Sequence, residues 1–88
     1  MSDSAMSSRR LYAEFFREAR QRKRLTQMQV AAALGYNSPQ MISNIECGKL
    51  GYPLDQMPKL IQLFDLDVDK TVCFIVRLTE IELRKELK

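Results

Sequence analysis

Residues 25–49 read LTQMQVAAALGYNSPQMISNIECGK, and this stretch decides the fold. It divides into two short amphipathic helices around a tight turn. Thr26 is placed to cap the first helix, and Val30, Ala31 and Leu34 give it an apolar stripe at i, i+1 and i+4. Gly35 falls where that helix must stop, because glycine adopts the left-handed backbone of a helix end at little cost. Ser38-Pro39 restarts the chain, with a serine cap and a proline in the first helical position. The second helix is expected over residues 39–46, with Ile42 and Ile45 on its buried side. Gln40, Met41, Ser43 and Asn44 are left facing outward or toward an edge. An isoleucine seam backed by an uncharged, amide-rich face suits the reading of base edges in a DNA major groove.

The rest of the chain bounds this reading. Eighty-eight residues with a hydrophobic share of 45% make one small domain around one core. No apolar run approaches the roughly 18 residues of a membrane-spanning helix. The opening MSDSAMSS lacks the basic-then-apolar order of a secretory signal. A cytoplasmic location is therefore expected, nucleoid-associated when DNA is bound. Cys47 and Cys73 are not in C-x-x-C spacing and histidine is absent. A structural zinc site needs about four Cys/His ligands, so no metal and no other cofactor is expected. Two isolated cysteines fit a reducing compartment. Without a histidine, a glycine-rich phosphate loop or a nucleophile elbow, no enzyme is expected either.

The net charge is +3, and its distribution says more. Residues 1–52 hold 8 Lys/Arg against 4 Asp/Glu, a balance of +4, whereas residues 53–88 hold 6 against 7, a balance of −1. The basic half contains the helix-turn-helix candidate, which is the footprint of a polyanionic partner. Taken alone, the charge fits a solvated helix surface equally well.

Residues 1–8 are small and polar, and read as a mobile tail. Ser8 is placed to cap a helix from Arg9 to about Lys23, with Leu11, Tyr12, Phe15, Phe16 and Ala19 as its apolar stripe. Arginines line its other face, with Glu14 and Glu18 spaced for contacts to Arg17 and Arg22. Asp55 is placed to cap a fourth helix over about 56–64, with Pro58 at its third position. The last segment admits two readings. TVCFIV (71–76) favours a strand by propensity. The helical spacing of Val72, Ile75/Val76, Leu78, Ile81/Glu82, Leu83 and Leu87 and the ending ELRKELK favour a fifth helix, which is the reading adopted. Its apolar surface exceeds what one small core needs, so it either covers the bottom of the domain or forms a self-association face.

Arg20, LTQ at 25–27, Ala31, Leu34-Gly35, ISNIE at 42–46, Gly48-Lys49 and the run of Leu60, Phe64 and Leu66 occur together. In this combination residues 9–67 resemble the lambda-repressor-like, Cro-type (XRE) helix-turn-helix DNA-binding domain. The resemblance implies a phosphate contact for Gln27 and base contacts for Gln40 and Asn44. It sets Ser38 within reach of a base or phosphate, Ser43 beside the base readers, and Lys49 against a phosphate. It also implies that Arg20 and Glu46 form a structural pair. The chain departs from the pattern in four places. The turn GYNSP is one residue longer than the commonest one, Arg24 stands where a glycine is frequent, Cys47 replaces a polar residue, and Pro39 replaces a potential base reader.

The sequence therefore predicts an all-α bundle of about five helices. Residues 1–8 would be a tail, 9–67 the DNA-binding domain, and 68–88 a C-terminal helix for dimerisation or partner binding. The expected function is sequence-specific binding of double-stranded DNA by a homodimeric transcriptional regulator. Two alternatives stand beside it. One is an antitoxin or phage-type control protein whose last helix grips another protein. The other is a helix-turn-helix scaffold used only for protein–protein contact.

Overall fold

The computed structural model describes residues 7–87. Most of the expected tail lies outside this range, and Ser7 and Ser8 already belong to the start of the first helix. Five α-helices run in chain order: α1 Ser8–Arg22, α2 Gln27–Ala33, α3 Gln40–Glu46, α4 Met57–Leu63 and α5 Val68–Glu86. A 3₁₀ turn, Leu54–Gln56, precedes α4, and no strand occurs among the described residues. The all-α architecture expected from the sequence is thus the one observed.

The helix starts follow the local chemistry, with three shifts. Ser7, not Ser8, caps α1, its hydroxyl accepting from the Arg10 N–H at 3.2 Å. Ser8 is buried instead. Thr26 caps α2 within a full capping box. Its hydroxyl accepts from the Gln29 N–H at 3.0 Å, and the Gln29 side chain accepts from the Thr26 N–H at 2.8 Å. In α3 the cap position falls on Pro39 (ψ 1°), so the helix begins at Gln40, and Ser38 makes only a long 3.4 Å contact with the Gln40 N–H. In α4 the 3₁₀ turn takes Asp55, which caps nothing, and Pro58 sits at the second helical position.

The first four helices all end in one way. Arg24, Gly35, Gly48 and Asp65 have positive φ, between 55° and 89°. In each case the next residue's N–H reaches back to a carbonyl five residues earlier, as in Leu25 to Arg20 at 3.2 Å and Tyr36 to Ala31 at 2.8 Å. This is the Schellman closure, which satisfies carbonyls the helix leaves open.

The strand alternative for 71–76 is not realised, and α5 runs unbroken. The Asp67 carboxylate accepts from the Lys70 N–H at 2.9 Å and starts the helix. Thr71 and Leu78 are buried, and Phe74 stacks on Phe15 of α1 with ring centroids 4.6 Å apart. That spacing of buried positions fits a helix and would split across the two faces of a strand. Phe16, Val30, Ile42, Ile45 and Leu60 are fully buried at the centre. On the surface of α1, Glu14 meets Arg10 at 3.4 Å rather than an arginine further along.

Candidate nucleic-acid interface

Glu46, the last residue of α3, organises the unit. Its side chain is only 4% exposed and accepts from Arg20 Nε at 2.7 Å and Nη2 at 3.0 Å. The remaining Arg20 nitrogen, Nη1, donates to the Leu25 carbonyl at 2.7 Å. The paired geometry ties α1, the α1–α2 loop and α3 together, and hydrogen bonding to Glu46 raises the Arg20 pKa above its ordinary value. Gln27 joins the same clamp. Its half-buried amide donates to Glu46 Oε1 at 3.0 Å, a partner the sequence did not assign.

The turn before α3 is anchored as well. The Tyr36 hydroxyl donates to Gln56 Oε1 at 3.1 Å, and Gln56 Nε2 donates to the Leu34 carbonyl at 3.2 Å. The turn GYNSP is thereby tied to the 3₁₀ turn through Gln56. Ile42 and Ile45 face the core at zero exposure, which fixes the rotation of α3 about its axis.

That rotation places Gln40 and Asn44 together on the outer side. Gln40 Nε2 donates to Asn44 Oδ1 at 3.1 Å, one turn apart, so the two amides hold one another in position. Gln40 is exposed and Asn44 half-buried, as is Ser43 beside them. Ser38 is exposed before α3, and Lys49 is exposed just after Gly48 has turned the chain. The six residues singled out from the sequence thus divide into an outer group of Ser38, Gln40, Ser43, Asn44 and Lys49, and Gln27, which is engaged inward.

The structure brings to the site arginines that the sequence reading placed on the outer face of the first helix without a role there. Arg9, Arg10 and Arg17 line a groove of about 400 Å³ with Glu46, Cys47 and Gly48 at the end of α3. Arg10 and Arg17 are seven residues apart, two helical turns, with buried Ala13 between them letting α3 approach closely. That spacing was available as a signal. Glu14 lines the same groove and pairs with Arg10 at 3.4 Å, and at the other end of α1 Lys23 reaches Asp65 at 3.7 Å. Among the described residues no cluster of His, Cys, Asp and Glu could hold a metal ion, and no helix is long and apolar enough to cross a membrane.

A family model described as a helix-turn-helix domain matches residues 11–71. No curated protein and no solved structure matches the chain at a significant level.

Proposed function

Since this chain belongs to the helix-turn-helix domain family, whose members are DNA-binding regulators, we propose that it binds double-stranded DNA sequence-specifically as a homodimeric transcriptional regulator. The observation that carries this reading is the outer face of α3. Two uncharged amides, Gln40 and Asn44, are fixed to one another above a fully buried isoleucine seam. An amide presents a donor and an acceptor side by side, which matches the N6 and N7 edge of adenine. Ser43 adds a hydroxyl beside them.

Phosphate contacts would set the register of α3 in the groove. Lys49 and Ser38 flank the helix, and the arginine-lined groove at its end supplies further cations. Gln27 would reach a phosphate with the amide hydrogen that Glu46 does not use. Residues 9–67 serve as the DNA-binding part of this proposal, and residues 68–88 as the associating part. The role is one of binding, with no catalytic step.

Selection from a random pool of duplex oligonucleotides tests the reading. The expected result is one enriched motif with two-fold symmetry and half-sites about 34 Å apart, or a multiple of that spacing. No enriched sequence, together with no salt-dependent retention on DNA, would overturn it in favour of a scaffold for protein contact.

A further inference from the structure

Helix α5 carries two apolar stripes, and the fold uses one. Thr71, Phe74, Ile75 and Leu78 face α1 and the core. Roughly a third of the circumference away, at 100° per residue, runs a second stripe of Val68, Val72, Val76, Thr79, Leu83 and Leu87. Its aliphatic members are between 50% and 84% exposed. Thr79 does not interrupt the stripe. Its hydroxyl donates to the Ile75 carbonyl at 2.9 Å, which leaves the methyl group as its free outward surface.

The spacing of this stripe is symmetric. Read from either end, its intervals are four, four, three, four and four residues. A helix with such a stripe matches an antiparallel copy of itself, because a two-fold axis reverses the order of positions and keeps their spacing. With the axis between Arg77 and Leu78, Val68 meets Leu87 of the second copy, Val72 meets Leu83, and Val76 meets Thr79. The bordering charges agree with that register. Asp69 lies along one edge at the start of the helix. Arg84 lies along the same edge near its end, held there by Glu80 at 3.0 Å. An antiparallel two-fold pairs each edge with itself in reverse, so it brings Arg84 of one copy level with position 71 of the other, about 3 Å along the axis from Asp69 and on the same side. A parallel two-fold instead faces each edge with the opposite edge of the second copy, so it forms no pair between Asp69 and Arg84.

We propose that the second stripe of α5 is the homodimer interface and that the two α5 helices pack antiparallel in this register. The proposal rests on the homodimeric reading above and adds the surface, the direction and the pairs. The test uses the full chain with Cys47→Ser and Cys73→Ser, both exposed positions, carrying Val72→Cys, Leu83→Cys or both. Within one helix these two positions lie about 16 Å apart, too far for an internal disulfide, which needs Cα atoms closer than about 7 Å. Mild oxidation is expected to cross-link the double variant into dimers and to leave each single variant uncross-linked. Cross-linking of Val72→Cys alone would show a parallel pair and overturn the proposal. So would an unmodified chain that sediments as a monomer at micromolar concentration, or a dimeric double variant that never cross-links. The DNA reading is judged separately. A monomer that still enriches a single half-site in the selection removes the dimer and keeps the DNA contact.

Discussion

Single positions in this chain carry measurable amounts of stability, and three of them show how. Glu46 accepts three side-chain hydrogen bonds from Arg20 and Gln27. Glu46→Ala leaves the Arg20 guanidinium unpaired in a largely dry site, and an expected cost of about 3–5 kcal/mol follows, measured by urea unfolding. Arg24 holds a left-handed backbone at φ 58° that side chains with a Cβ resist. Arg24→Gly is expected to gain about 0.5–1 kcal/mol, the relief of strain exceeding the extra freedom that glycine gives the unfolded chain. Tyr52 offers the opposite lesson, because its buried hydroxyl has no partner among the described residues. Burial raises the Tyr52 pKa above 10.0, and to a smaller extent that of Tyr12, whose hydroxyl accepts from the Tyr52 N–H at 2.8 Å. A raised pKa in the folded state means that the fold favours the neutral phenol. The associated stability is fully present below the unfolded value of 10.0 and is lost as pH climbs through the raised one. Tyr52→Phe should therefore gain about 1 kcal/mol at neutral pH by removing the unsatisfied group. It should also flatten the loss of stability above pH 10, which denaturant midpoints across an alkaline series would reveal.

At the scale of elements, α2 and α3 were legible because local chemistry and tertiary packing agree there. The Thr26 capping box, Gly35 and the Ile42/Ile45 seam each act on near neighbours, so they survive folding unchanged. Elements settled by distant partners were less plainly written in local sequence, although the fifth helix expected from spacing is the one observed. TVCFIV has the side chains of a strand, and packing on α1 together with the Asp67 cap makes it a helix. Asp55 looked like a cap until the 3₁₀ turn, held through Gln56 to Tyr36 and Leu34, took its place. The engagement of Gln27 with Glu46 is likewise a product of helix packing, which no local pattern announces, whereas the seven-residue spacing of Arg10 and Arg17 was a local signal for the groove beside α3. The outer face of α3 makes its own prediction. Gln40→Ala should weaken binding to a selected operator by about 1–3 kcal/mol and relax its sequence preference, and so should Asn44→Ala. Because Gln40 Nε2 donates to Asn44 Oδ1, the double variant should cost less than the two single losses added. Unchanged affinity in both single variants would remove α3 as the reader.

Across the whole molecule, charge is divided between residues 1–52 at +4 and residues 53–88 at −1, and the fold refines that division further. Cations near the end of α3 and cations elsewhere should contribute differently to DNA binding. Lys49 is exposed directly after α3, and Arg10 and Arg17 line the groove at its end. Lys23 belongs to the same basic half but lies at the far end of α1, where it meets Asp65. Each phosphate neutralised by the protein releases condensed counterions, so the logarithm of affinity falls with the logarithm of salt by about 0.9 per contact on B-DNA. Lys49→Ala and Arg17→Ala should each lower that slope by about one, weakening specific and non-specific duplexes alike, since a phosphate contact carries no sequence information. Lys23→Ala should leave the slope unchanged. Titrations of a selected operator and a scrambled duplex between 50 and 200 mM salt, a range over which such contacts lose roughly three to five decades when six to ten are made, would resolve one contact from none. A slope that drops for Lys23→Ala and not for Lys49→Ala would place the DNA against the α4–α5 side, and the proposed orientation of α3 would have to be abandoned.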